Sequence, residues 1–179
     1  MFNPFKKKEE SVKVVDKIWM SETAKSNGIL ELWKKDPETI IITWFNTSQH
    51  HLETLFARET SSTISLFLVR EVNSSQLSGK KIIFAEHHPL RKKEQELFKQ
   101  WHLNEAIVHS ALDEPLFQRF GGEKIIGMMK QMGMQEDSMI EHKMISNAIV
   151  IAQEKIEGKV LTEHTASSQQ EWIERNLTA

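Results

Sequence analysis

Two histidine pairs carry most of the chemistry this chain could hold. His50-His51 follow an apolar run at residues 38–45, and Glu86-His87-His88 follow another at residues 81–85. Imidazole and carboxylate groups are the side chains that hold Zn²⁺ in a tetrahedral set. His50, Glu86, His87 and His88 are therefore the candidate metal ligands, and Glu86, His87 and His50 the candidate machinery of a metal-assisted hydrolase. Spacing argues against this. Adjacent residues on a helix point about 100° apart, so each pair offers one ligand rather than two. The competing reading, and the favoured one, is polar loop residues that cap the helices after each strand. No bound metal or other cofactor is expected.

Asp113-Glu114 are paired carboxylates, which can do acid–base work. Placed just before Pro115-Leu116-Phe117, they serve more simply as negative charge at the positive end of a helix. His142 reads as a packed helix residue, and His102, His109 and His164 stand isolated. There is no G-x-S-x-G turn to present a nucleophile, and Ser61-Ser62 and Ser74-Ser75 read as loop. Cradling a phosphate takes a glycine-rich loop ending in lysine and serine or threonine. None of Gly28, Gly79, Gly121, Gly122, Gly127, Gly133 and Gly158 opens one. Hence no catalytic and no cofactor-binding residue is assigned, and an enzyme is the less favoured reading.

Met128, Met129, Met132 and Met134 form the densest methionine cluster. Flexible thioethers suit adaptable binding surfaces, although packing of a helix onto a sheet explains them as well. With Trp172 on the last helix they are the candidate interaction residues. The chain has no tyrosine and no basic–aromatic platform for stacking bases.

The elements that position these residues alternate. Val14–Met20 reads as an extended lead-in segment. Ser21 caps a helix with Ala24, Ile29, Leu30, Leu32 and Trp33 inward, stopped near Asp36-Pro37. Ile40–Phe45 is an apolar, β-branched run, as in a parallel strand buried on both faces. Asn46-Thr47-Ser48 turns the chain into a helix with Leu52, Leu55 and Phe56 inward. Further strands are expected at 64–69, 81–85 and 106–108, with a helix from Pro89. This pattern predicts an α/β fold: a mainly parallel, doubly wound sheet of about four strands. After Gly121-Gly122 come a short helix, then a longer one capped by Asp137 or Ser138 and ended by Gly158. Ser167 or Ser168 caps a last helix. The organisation predicted is a mobile charged tail at 1–13, an α/β domain at 14–122 and a helical extension at 123–179.

With 23 Lys and Arg against 25 Asp and Glu, the net charge of −2 argues against a protein built to hold nucleic acid or an anionic membrane. There is no cysteine, which removes disulfides and thiolate chemistry. No apolar run reaches membrane-spanning length, and basic Lys6-Lys7-Lys8 are not followed by the apolar core of a signal peptide. A cytoplasmic location is the expectation.

The stretch RFGGEKI…MGMQEDSMIEHKMISNAIVIAQEKIEG, residues 119–158, resembles the end of the second motor domain of SecA-type preprotein translocase ATPases. Further upstream, DKIWMSETAK, PETIIITWFNTSQHHLETLF and GKKIIFAEHHPLRKKEQELF resemble successive segments of that domain, so the likeness covers about residues 14–158 in order, and more faintly to 177. It implies a RecA-like motor half and the first part of a helical scaffold. It also implies what is missing. Where the family has a glycine-arginine-glycine-threonine-aspartate turn, this chain has residues 68–75. Where arginines reach the nucleotide phosphates, it has residues 94–102. Arg91 sits near the family's arginine pair, but the later arginines are gone. One β–α unit is also expected to be missing between the strands at 40–45 and 64–69. Without a phosphate loop or arginine fingers, charge on a transferred phosphoryl group has no stabiliser. The resemblance therefore implies a non-catalytic accessory or interaction module, linked to protein export. Its partner is another protein or a second copy, because apolar helix faces at the start of a scaffold need cover. The alternatives are the metal-assisted hydrolase above and residual nucleotide or nucleic-acid binding.

Overall fold

The computed structural model describes residues 11–177. Residues 1–10 of the tail expected at 1–13 lie outside the described residues, and Lys13, assigned to that tail, opens the first strand. Five parallel strands form one sheet: β1 (Lys13–Trp19), β2 (Ile40–Thr43), β3 (Leu66–Leu68), β4 (Ile82–Phe84) and β5 (Glu105–Ala111), in the order β1-β5-β4-β2-β3. That is one strand more than expected. The lead-in segment pairs with β5 along its length, from Lys13 opposite Glu105 to Trp19 opposite Ala111.

Every residue of β2 is buried, as a β-branched run with helices on both faces must be. Helix α1 (Glu22–Lys35) starts where Ser21 Oγ accepts from the Ala24 amide at 3.1 Å and ends at Asp36. With α2 (Asn46–Glu59) it covers one face, where Ile29, Trp33, Leu52 and Phe56 pack on Ile41 and Ile83. Helix α3 (Arg91–Gln100) covers the other, where Phe98 and Trp101 meet Ile40, Ile42, Phe84 and Val108. Alternate strand residues thus feed opposite cores. The shortened connection falls between β3 and β4, which only two 3₁₀ turns join, at Val69–Glu71 and Ser74–Leu77. Between β2 and β3, where a missing unit was expected, α2 makes a complete crossover.

After β5 come α4 (Pro115–Gln118), α5 (Gly122–Gln131), α6 (Lys143–Glu157) and α7 (Gln169–Leu177). Gly121 supplies a left-handed φ of 89°, and Gly122 lies so close that an added Cβ would sit 2.1 Å from the Leu112 carbonyl oxygen. Helix α6 begins later than Asp137-Ser138 predict. His142, expected inside that helix, is its cap, with Nδ1 accepting from the Met144 amide at 3.2 Å. The residues before it run along β1 instead. Ile140 and Ile18 exchange both backbone hydrogen bonds, at 3.0 and 2.8 Å, in an antiparallel bridge. A tertiary pairing of this kind satisfies backbone groups and overrides the local capping signal. The Ser168 cap of α7 is as expected, with Oγ accepting from the Glu171 amide at 3.0 Å.

Helices α5 to α7 share a core with the carboxyl ends of the strands. Met129, Ile149, Ile156 and Trp172 pack with Ile18, Met20, Phe45 and Leu112. Among the described residues no helix is long and apolar enough to cross a membrane.

Candidate functional site at the carboxyl ends of the strands

In open α/β sheets ligands bind outside the carboxyl ends of the strands, where the winding reverses. Here that point lies between β2, which leads to α2 on one face, and β4, which leads to α3 on the other. The turn into α2 would offer its backbone amides to an anion. The chain fills this place itself. Glu86, just past β4, accepts from the Trp44 and Phe45 amides at 2.9 and 3.0 Å through Oε1, and from the Ser48 hydroxyl at 2.5 Å through Oε2. The Thr47 amide, in the first turn of α2, donates to the Ser167 carbonyl at 3.0 Å.

Next to this carboxylate lies a buried ion pair. Lys25 of α1 bonds Glu114, and both side chains are almost fully buried. Burial alone would lower the Lys25 ammonium, but Glu114, Glu86 and Glu22 outweigh it and hold it above the ordinary lysine value. Burial pushes Glu86 up to about 7, with Lys25 pulling the other way. Burial also raises Glu114. Glu114 was expected merely to complement a helix end. It is the residue before α4, yet its side chain turns inward, because a buried ammonium needs a counter-charge. A cavity of about 240 Å³ opens here, lined by Glu22, Ser48, Glu86, Glu114 and Gln169 among others.

Beyond Glu86 the chain builds a polar hub. His87 Nδ1 meets Glu94 at 2.9 Å and its Nε2 meets Asp16 at 3.0 Å, all three buried. Burial opposes protonation of His87, but Glu94 and Asp16 prevail and push it up to about 10, so it is an imidazolium between two carboxylates. Gln153 of α6 donates to the second Glu94 oxygen at 2.9 Å and to the His88 carbonyl at 2.8 Å. Gln169 of α7 donates to the His87 carbonyl at 3.0 Å. His88 is the neutral neighbour: burial lowers its pKa. Its Nδ1 accepts from the Leu90 amide, and its ring stacks on Phe45 with centroids 5.8 Å apart. Its Nε2 faces Glu163 at 3.3 Å. Hydrogen bonds from His88, Lys93 and Trp172 hold Glu163 down at about 2.

The four candidate metal ligands are thus separated by their partners. His50 lies on α2 with its side chain 84 % exposed, turned to solvent rather than into the buried turn. Glu86 faces the α2 turn, His87 faces Asp16 and Glu94, and His88 faces aromatic rings. Among the described residues no three His, Asp or Glu side chains gather as a metal site. The methionine cluster divides. Met129 is buried and Met134 packs on the core, while Met128 and Met132 are 62 % and 75 % exposed. Trp172 is not a surface residue: it is 1 % exposed and its Nε1 donates to Glu163 at 2.9 Å.

Several hub residues carry no motif, yet the sequence does mark two of them. Lys25 occupies the same helical row as Ile29 and Trp33, and Gln153 the row of Ile149 and Ile156. A polar residue on an apolar stripe needs a buried partner. His109, passed over as isolated, is buried on β5 and accepts from Trp19 Nε1 at 3.1 Å; burial lowers it to about 3.

No family model matches the chain. Among curated proteins, the protein translocase subunit SecA of Clostridium beijerinckii is 39% identical over 87 residues, covering 46% of this chain and 10% of that protein. The SecA subunits of Oleidesulfovibrio alaskensis and Acinetobacter baylyi are 37% and 35% identical over 87 and 85 residues, again about 46% and 45% of this chain. The chain spans about a tenth of the length of the curated relatives it matches. Moderate identity over nearly half of its length, on a parallel five-stranded α/β scaffold, supports a SecA-related domain in this chain.

Proposed function

We propose that this chain is a non-catalytic SecA-motor-like domain that acts by binding another protein. The observation that carries the reading is the filled switch point. Glu86 occupies the anion position at the α2 turn, Ser167 bonds the Thr47 amide of that turn, and α7 packs beside it through Gln169 on His87 and Trp172 on His88. A nucleotide phosphate would have to displace a buried carboxylate that already has three donors. The sequence supplies no phosphate loop, and residues 94–102, where the resemblance places phosphate-contacting arginines, hold none to compensate.

Binding then falls to the surface of the helical extension. Met128 and Met132 of α5 and Met144 and Ile151 of α6 are exposed. Thioethers on a helix face suit a protein partner. The relatives are named as subunits of a protein translocase, so we place the partner among the components of protein export. A tagged chain captured gently from its own cells tests this. The expected result is one stoichiometric protein partner, lost when Met128→Glu and Met132→Glu are combined at unchanged thermal stability. No partner, or capture unaffected by the double substitution, speaks against the reading.

A further inference from the structure

Strand β1 is an edge strand, and among the described residues its outer side is closed at its two ends only. In a parallel ladder the N–H and C=O of one residue point to the same side, and successive residues alternate. The Trp19 carbonyl accepts from the Leu112 amide, which places the odd-numbered residues of β1 toward β5. The even-numbered residues point outward. At the carboxyl end, Ile18 is paired by Ile140. Ahead of the strand, the Val12 amide and carbonyl are both taken by the Gln95 side chain, at 2.7 and 3.1 Å. Between them lie Val14 and Asp16, whose outward backbone groups have no partner among the described residues. A groove of about 550 Å³ runs along this stretch, bounded by α6 and the start of α3.

Charges of both signs line the groove. Its carboxylates are engaged within the fold, Asp16 and Glu94 by His87 and Glu141 by Lys17, and the Arg91 charge also acts on Asp16. Arg91 and Lys143 line it without a direct ion-pair contact among the described residues. A guanidinium offers a planar fork of donors suited to a carboxylate. We propose that this groove takes an extended, acidic peptide segment of a partner protein, added antiparallel to β1 through Val14 and Asp16, with a carboxylate on Arg91. The antiparallel direction is the one in which Ile140 already pairs with this edge. Two donors and two acceptors then meet the peptide backbone, as in strand addition elsewhere. A second copy of this chain fits worse. The one self-pairing register open between Gln95 and Ile140 sets Val14 against Asp16 of the other copy. That places Lys13 opposite Lys17, and like charges directly opposed are unfavourable. This site is separate from the exposed methionine face, and its failure would leave that reading standing.

The test uses the full chain and a dye-labelled heptapeptide, TVEVEVT, with its lysine counterpart TVKVKVT as the charge control. Fluorescence anisotropy should show saturable binding of the acidic peptide and at least tenfold weaker binding of the basic one. Val14→Pro removes only an outward N–H and spares the β5 ladder. It should weaken binding about fivefold or more, and Arg91→Ala should do likewise at unchanged stability. Amide exchange read by NMR needs no variant. In the free chain the Val14 and Asp16 amides should exchange much faster than those of Val15 and Lys17, and gain protection when the acidic peptide is added. Three results would overturn the proposal: no saturable binding at millimolar peptide, equal binding of the basic peptide, or no gain in protection at the two amides. Protection already present in the free chain would overturn it too, since the edge is then covered by the chain itself or, where protection rises with protein concentration, by a second copy.

Discussion

At His87 both ring nitrogens face buried carboxylates, and this gives the protein a definite pH dependence. The folded pKa of about 10 lies above the ordinary value near 6.5. The stabilisation is therefore complete below about pH 6.5 and is lost as pH rises toward 10. Urea denaturation followed by tryptophan fluorescence should show stability falling by a few kcal/mol across that window. His87→Gln should be less stable at neutral pH and nearly flat above it; parallel profiles would contradict the assignment. Lys25 gives a second expectation at this scale. Removing one member of a buried ion pair typically costs about 3–5 kcal/mol. Lys25→Met should lose about that much in denaturant, and adding Glu114→Leu should recover part of it. The sequence singled out Glu86, His87 and His88 as alternative metal ligands and, in the favoured reading, as polar loop residues at helix starts, which is where Glu86 and His88 bond. Their partners Asp16, Glu94 and Gln153 come from three different elements, and no local pattern joins them. A polar residue on an apolar helical row, as at Lys25 and Gln153, was the readable sign of buried polar pairing.

Periodicity and capping located the elements well where the determinants are local. Ser21 caps α1 and Ser168 caps α7, and the apolar run at Ile40 became the fully buried β2. Two elements were decided by distant contacts. The lead-in at Val14–Met20 became most of β1 because β5, some ninety residues later, offers a ladder. Helix α6 began at Lys143 because Ile140 is held by Ile18. Helix α7 also matters beyond its length. Trp172 packs edge-on to His88 with ring centroids 5.5 Å apart and donates to Glu163, joining α7 to the hub. Truncating such a buried aromatic typically costs about 3–5 kcal/mol. Trp172→Ala should lower the denaturation midpoint accordingly, and amide exchange should rise across α7 before the central strands. Uniform loosening of the whole sheet would show that α7 is not a separable cover.

For the whole molecule, the resemblance in residues 14–158 anticipated an α/β motor-half scaffold, and the parallel five-stranded sheet agrees with it. What composition and motifs could not convey is how the carboxyl end of the sheet is closed. That closure depends on Glu86 reaching the α2 turn and on α7 folding back from the far end of the chain. The proposal of a motor-like scaffold that works without nucleotide rests on an anion position filled from within. Equilibrium dialysis of the full chain against radiolabelled Mg-ATP tests it most directly. No saturable binding up to millimolar nucleotide and no hydrolysis above the blank are expected. One ATP bound per chain in the micromolar range, or phosphate release that scales with protein concentration, would contradict it.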